Sequence, residues 1–330
     1  MRVAVTGGSG SIGRVLLRRL QAEGHEVVSL VRARSRRALE LAGSRVVEGD
    51  VRDETALRHL VGESEAVVHL AAFVHRPAAS AAQRDECFAV NFGATEALIR
   101  AVERTGRRQY VVLISSAAVY GTEFDRAREP DPCRPATPYA ESKLMAERAL
   151  GAALERRTIA GAALRPPLVL GPDMPGNFAK LLRLLRWGFF PLVGGGANAK
   201  SLVHVDDLVA TVLALLLDPA RATGSVYNVA AEPPLSMRQI AAALVAGAGR
   251  APRYLPLPPG MLRAGAEASH LLHRLSNRTL PDLRRWSEVF CATNTLDTTA
   301  LRQAFDLRFK STAEALAELG AELSEPRARV

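Results

Sequence analysis

Arg2-Val3-Ala4-Val5-Thr6-Gly7-Gly8-Ser9-Gly10-Ser11-Ile12-Gly13 opens the chain. A short apolar run suits a buried strand, and the glycines that follow suit a tight turn rather than a helix interior. Ile12, Val15, Leu16 and Leu20 then recur at helical spacing, Gly24 closes that helix, and a second apolar strand is expected over 27–31. Strand, glycine turn, helix and strand in this order have the dimensions of a dinucleotide-binding unit. The glycines let the backbone turn, approach a pyrophosphate and seat the helix on the sheet. The helix start then offers amide donors to the phosphates.

The same alternation continues outward. Strands are expected over 45–47, 66–70, 110–114 and 161–169, and helices over 54–61, around 91–104 and from Tyr139. Strands buried between helices should be parallel, which gives a doubly wound α/β sheet of the Rossmann type. After Pro166-Pro167 the texture changes. Pro172, Pro175, Pro191 and Gly194-Gly195-Gly196 punctuate the chain around a short amphipathic helix over 178–187. Further helices are expected over 206–217, from the capping box Ser236-Met237-Arg238-Gln239 to Gly247, and from Ser311-Thr312-Ala313-Glu314 onward. Residues 255–259 are too rich in proline for a central strand. The expected organisation is a dinucleotide-binding domain over 1–170, with segments about 201–230 returning to it. Residues 171–200 and 231–330 would form a smaller, mainly helical substrate lobe over the carboxyl ends of the strands.

Two further stretches carry chemistry. In Thr137-Pro138-Tyr139-Ala140-Glu141-Ser142-Lys143, Thr137 suits an N-cap and Pro138 the first helical position. Tyr139 and Lys143 then share one helix face. A phenol titrates near pH 10, too high for proton exchange at neutrality, and a neighbouring ammonium with the positive helix start would favour the phenolate. In Ser115-Ser116-Ala117-Ala118-Val119-Tyr120-Gly121, Ser116 follows an apolar strand and is placed to hold a substrate oxygen near the phenol.

The 330 residues are 48% hydrophobic with mixed charges, as in a folded soluble protein. The net charge of +9 favours phosphorylated ligands. The basic residues are scattered, only 5% of residues are aromatic, and no recognition-helix or stacking pattern appears, so nucleic acid is not expected. Cys87, Cys133 and Cys291 lack metal-ligand spacing and suit a reducing compartment. The first strand begins at Arg2 and the longest apolar run, 208–217, is about half a membrane span, so a cytoplasmic location without membrane insertion is expected.

TGGSGSIG at 6–13, GDVRD at 49–53, HLAA at 69–72, NFGAT at 91–95, SSAAVYG at 115–121, YAESK at 139–143, LRPPLVLGP at 164–172, HVDD at 204–207 and YNVA at 227–230 follow in a characteristic order. The chain resembles the extended short-chain dehydrogenase/reductases, the NAD-dependent epimerase/dehydratase group, over nearly its whole length. The resemblance implies that Gly7, Gly10, Ser11, Ile12 and Gly13 line the pyrophosphate, that Asp50 and Val51 border adenine, and that Leu70, Ala71, Ala72, Ser115 and Pro166 lie along the cofactor. It makes Asn91 a structural or proton-relay asparagine, Ser116 the substrate-orienting serine, Tyr139 the acid/base, and Lys143 the ligand of the nicotinamide ribose. HLAAFVH at 69–75 and the 165–203 region look like bacterial nucleotide-sugar 4-reductases and 4-epimerases. That likeness puts Tyr120, Asn177, Phe178 and Lys200 at the substrate, with Lys200 in place of a phosphate-gripping arginine and without its fork. It also implies a homodimer.

Two departures refine the expectation. NAD-preferring members end the second strand with an aspartate, whereas Val31 is followed here by Arg32-Ala33-Arg34, which attracts a 2′-phosphate. NADP(H) is therefore favoured, with NAD(H) possible. Hexose 4,6-dehydratases carry an acidic pair where this chain has Ala117-Ala118, and alanine supplies no proton. The expected activity is 4-keto reduction of a nucleotide-activated sugar. The alternatives are a 4-epimerase that retains NAD, a reductase of non-sugar carbonyls, and a non-catalytic cofactor-binding subunit. His69 is read as a core residue, and His204, Asp206 and Asp207 as a helix cap with an aspartate at the helix start rather than a metal site. Trp187 and Trp286 are read as packing residues. The Arg278/Arg284/Arg285 cluster suits a solvated helix face and a diphosphate contact equally.

Overall fold

The computed structural model describes residues 1–33, 35, 43–74, 80–171, 189–249, 253–258, 260–261, 264–265, 267 and 291–324. Seven strands make the main sheet: β1 (Arg2–Thr6), β2 (Glu26–Val31), β3 (Arg45–Glu48), β4 (Ala66–His69), β5 (Tyr110–Ile114), β7 (Ala160–Arg165) and β11 (Val226–Asn228). The intervening β6 is Phe124–Ala127, and β8, β9 and β10 are Leu168–Leu170, Phe189–Val193 and Ala199–His204. The spatial order is β11-β7-β5-β4-β1-β2-β3, with every pairing parallel. Order reverses between β1 and β4, where Thr6 pairs with His69. Doubly wound sheets leave a ligand crevice at such a point.

Both faces of the sheet are covered, so its strands read as apolar runs rather than alternating ones. On one face Val3, Val5 and Val112 pack against Leu16 and Leu20 of the Ser11–Ala22 helix and Leu208 and Val212 of the Val205–Leu217 helix. On the other, Ala4 and Val111 meet Leu57, Leu98 and Leu150 of the Glu54–Val61, Ala94–Glu103 and Pro138–Glu155 helices.

Three local readings are revised. The helix expected from about 91 is three pieces: Ala81–Phe88, a π-helical turn Ala89–Gly93 holding Asn91, and Ala94–Glu103. The strand expected over 161–169 breaks at Pro166-Pro167, which have no amide hydrogens for the ladder. Its second part, β8, leaves the main sheet and pairs with β10. The helix starting at Val205 is capped by His204, whose Nδ1 accepts the Asp206 amide at 3.3 Å, and not by an aspartate. Among its described residues the lobe also holds short strands beside its helices. Strands β12 (Ala231–Ser236) and β14 (Asn294–Leu296) join β10 and β6 in the order β12-β10-β14-β6, while β13 (Arg253–Leu257) pairs with β9. These strands are three to six residues long, and β12 and β13 are interrupted by proline, so they show no clean period. The Met237–Gly247 helix has the expected capping box and crosses the Thr312–Ser324 helix closely at Gly247 and Gly320. The helix expected over 178–187, Trp187, Trp286 and the Arg278/Arg284/Arg285 cluster lie outside the described residues.

Candidate active site

The glycine turn sits at the switch point. Gly7 has φ +75, and a Cβ there would lie 2.7 Å from the Ala71 amide nitrogen. A Cβ on Gly13 would lie 2.3 Å from the Gly7 carbonyl oxygen. Only glycine allows this packing. The Gly10 amide donates to the Gly7 carbonyl at 3.0 Å and closes the turn. The following helix has no side-chain cap and no acidic residue in its first turn. Its positive pole is therefore uncompensated by the chain and suited to an anion. Leu70, Ala71 and Ala72 run beside the turn: the Leu70 amide bonds the Thr6 carbonyl, and the Ala71 amide bonds the Thr6 hydroxyl at 3.2 Å.

On the next strand over, Ser115 and Ser116 end β5. The Ser115 amide is held by the Leu164 carbonyl and the Ala117 amide by the Pro166 carbonyl, which brings Pro166 beside the serines. The Ser115 hydroxyl is buried with no partner among the described residues. Ser116 Oγ accepts the Ala118 amide at 3.2 Å and so caps the 3-10 turn Ala117–Tyr120. Its hydroxyl proton remains available, and the Ser116 hydroxyl is close enough to the Tyr139 phenol to favour its phenolate form.

Tyr139 and Lys143 stand where the cap predicts. Thr137 Oγ1 accepts the Ala140 amide at 3.2 Å, and Pro138 opens the helix Pro138–Glu155. Lys143 is only 2% exposed and donates to the Ile114 carbonyl at 2.7 Å, tying the helix to the end of β5. Burial pushes this ammonium down to about 8, against the pull of Glu147. The electrostatic expectation for the phenol is corrected: burial raises Tyr139 above the ordinary value, and the opposing pull comes from the Ser116 hydrogen bond. Asn91 lies beneath the helix. Its Oδ1 accepts the Phe73 amide at 2.7 Å, and its Nδ2 donates to Ser142 Oγ at 2.9 Å.

The other candidates hold contacts of their own. Arg32 is exposed after β2, and its charge reaches Asp50. Asp50 is gripped by the Arg52 guanidinium at 2.7 and 2.9 Å, which holds its carboxyl below the usual range. Val51 packs partly into the core. Lys200, in β10, donates to Asn294 Oδ1 at 2.6 Å, and burial pushes it down to about 8. Asn177 and Phe178 lie outside the described residues. Tyr120 is 5% exposed, and its hydroxyl is used within the fold: it donates to Asn228 Oδ1 at 2.9 Å and accepts from Arg165 at 2.8 Å. Sequence reasoning missed the buried Arg165–Glu147 pair beside it, closed at 2.6 Å. The available signals were an arginine ending an apolar strand and a glutamate one helical turn past Lys143. His69 is a core residue, 1% exposed, hydrogen-bonded to Thr6 at 2.7 Å. Among the described residues no cluster of His, Cys, Asp and Glu is built to hold a metal, and no helix is long and apolar enough to cross a membrane.

A phosphate-ready turn at the switch point, with a phenol beside a serine and a buried ammonium at the neighbouring strand end, defines the class as a dinucleotide-dependent oxidoreductase. The chain belongs to the NAD dependent epimerase/dehydratase family, which it matches over residues 3–230. It is 30% identical over 262 residues, 78% of this chain and 76% of the relative, to an N-acetyl-alpha-D-glucosaminyl-diphospho-ditrans,octacis-undecaprenol 4-epimerase of Escherichia coli O157:H7. It is 29% identical over 313 residues, 88% and 89% of the two chains, to a 2-alkyl-3-oxoalkanoate reductase of Stenotrophomonas maltophilia. Among solved structures, a UDP-glucuronic acid 4-epimerase from Bacillus cereus in complex with NAD superposes with a TM-score of 0.77, at 19% identity and covering 99% of each chain.

Proposed function

We propose that the protein is an NAD(P)-dependent oxidoreductase acting at C4 of a nucleotide-activated sugar, working as a 4-keto reductase. The observation that carries the reading is the convergence of Ser116, Tyr139 and the buried Lys143 at the end of β5, where Lys143 is bonded to the Ile114 carbonyl. In this reading Tyr139 gives its proton to the alkoxide forming at C4, and Ser116 holds that oxygen through the hydroxyl hydrogen that its cap leaves available. Lys143 supplies a desolvated positive charge next to the proton donor and reaches the ribose. A bound nicotinamide supplies or takes the hydride. The cradle of Gly7, Gly10 and Gly13, the uncapped helix start with Ser11 and Ile12, and the unpartnered Ser115 hydroxyl fit such a group, with Asp50 and Val51 at its adenine end. Asn91 fixes the helix under Ser142.

Arg32 beyond Val31 supports NADP(H), since no carboxylate stands there to repel a 2′-phosphate. Lys200 is proposed at the sugar diphosphate. The likeness to two 4-epimerases favours a second reading, in which the same residues oxidise C4 and re-reduce it with NAD retained throughout. The S. maltophilia relative raises a non-sugar carbonyl substrate, against which the half-buried Lys200 counts, because an apolar substrate needs no phosphate grip.

Mass spectrometry of what the purified protein carries, followed by NADPH consumption with UDP-, dTDP- and GDP-4-keto sugars, separates these readings. Retained NAD with no net NADPH use supports the epimerase. Tyr139→Phe should lower turnover about 10²- to 10⁴-fold while cofactor affinity stays within about twofold of the native protein. Unchanged turnover in that variant removes Tyr139 from the mechanism.

A further inference from the structure

We infer that Arg165 is a positioning residue for the proton-transfer pair, clamping the turn that carries Ser116 to the helix that carries Tyr139 and Lys143. The inference rests on the proposed roles of those residues, and its structural part is testable without a substrate.

Arg165 ends β7 and is 5% exposed. Its Nε lies 3.0 and 3.2 Å from the two Glu147 oxygens, and its Nη2 donates to Glu147 Oε2 at 2.6 Å. Its Nη1 donates to the Tyr120 hydroxyl at 2.8 Å and to the Glu129 carbonyl at 3.1 Å. The guanidinium carbon stands 4.9 Å from the centre of the Tyr120 ring. One planar cation thus bonds three separate segments, a geometry that lysine cannot reproduce.

Two of those segments hold the reacting groups. Glu147 lies one turn past Lys143 and two turns past Tyr139 on one helix. Tyr120 ends the single turn that Ser116 caps. Tyr120 in turn donates to Asn228, which is fully buried and bonded to the Ala127 and Asp297 carbonyls. The turn is therefore pinned at both ends: at its start by the Pro166 carbonyl and at its finish by Arg165 and Asn228. A hydrogen bond survives only a few tenths of an ångström of misplacement. Loosening the clamp should separate Ser116 from the phenol while leaving the glycine cradle untouched.

The test uses the full-length protein labelled with ¹³Cζ-tyrosine. The Tyr139 resonance is assigned by its loss in Tyr139→Phe, and Ser116→Ala defines the shift produced when the serine hydroxyl is absent. Tyr120→Phe keeps the ring over Arg165 and deletes one hydroxyl; Arg165→Lys keeps the charge and deletes the fork. Both should move the Tyr139 resonance in the direction set by Ser116→Ala, by a large part of that shift, with NAD affinity within about twofold of native. Leu316→Ala, in the buried core of the distant lobe, serves as the destabilised control and should not move the resonance. If Tyr120→Phe does not fold, Arg165→Lys is read alone. A Tyr139 resonance at the native position in a folded clamp variant, or an equal shift in Leu316→Ala, overturns the inference. A shifted resonance in a protein that turns over no sugar nucleotide would sink the substrate reading and leave the clamp standing.

Discussion

Replacing Gly13 with alanine tests whether the turn and the helix start are one packed object. Gly13 lies in the first turn of the Ser11–Ala22 helix. Judged by propensity alone the change should help, because alanine is favoured over glycine in a helix by about 1 kcal/mol. The structure says otherwise: the new Cβ would stand 2.3 Å from the Gly7 carbonyl oxygen and 2.7 and 2.8 Å from Gly8 backbone atoms. Reaching ordinary contact, near 3.5 Å, requires the loop to retreat by about 1 Å. Misplacement on that scale can cost about a hundredfold where geometry matters. NAD affinity should therefore fall about ten- to a hundredfold, or about 1.4–2.8 kcal/mol. Gly24→Ala is the matched control. Its φ is +78 but nothing lies within 4 Å, so a left-handed penalty of about 1–2 kcal/mol is partly offset by about 0.4–1 kcal/mol of lost unfolded-state freedom. It should cost a little stability and no affinity. Titration calorimetry with NAD and urea melts of both variants give the comparison. Native affinity in Gly13→Ala would refute the packing argument.

Burial pushes His69 down to about 3 from 6.5. The unfolded chain takes up a proton that the fold refuses, so stability is complete above about pH 6.5 and is lost as the pH falls toward 3, at up to about 1.4 kcal/mol per pH unit. Urea melts across that range should show a shallower acid slope in His69→Leu. Lys200 is pushed down to about 8, so KM for the sugar nucleotide should rise as the pH passes about 8; Lys200→Gln should have a high KM with no such step, and a step that persists would exclude Lys200. Gly247→Ala places a Cβ 1.8 Å from the Ala317 carbonyl, forcing two helices apart at a cost of about 1–3 kcal/mol; the thermal midpoint should fall with NAD affinity unchanged.

The dinucleotide-binding half was legible because its signals are local. Buried parallel strands read as apolar runs, the glycines at 7, 10 and 13 match a turn, and Thr137-Pro138 announces the helix that presents Tyr139 and Lys143. What escaped depends on distant partners. Nothing near Asn91 marks a π-helical turn; that turn is set by bonds to Phe73 and Ser142. The phenol's electrostatics were misjudged because spacing reveals the ammonium but not the depth of burial. Arg165 and Glu147 are eighteen residues apart and meet only because β7 lies under the Pro138–Glu155 helix. The short strands of the lobe draw their order from pairing with distant segments of the same chain rather than from a period of their own.

Strand β6, Phe124–Ala127, falls in the chain between Ser116 and Tyr139 yet takes its ladder partner, β14, from beyond residue 290. The chain's last third is thereby stitched into the loop linking the two side chains proposed to handle the proton. Such wiring makes the protein a poor donor for modular exchange: grafting another family member's specificity half onto this cofactor half would strip an edge from the linker itself. Chimeras that carry 122–131 together with the new lobe should retain turnover, whereas those cut at residue 170 should bind nucleotide and stay inert.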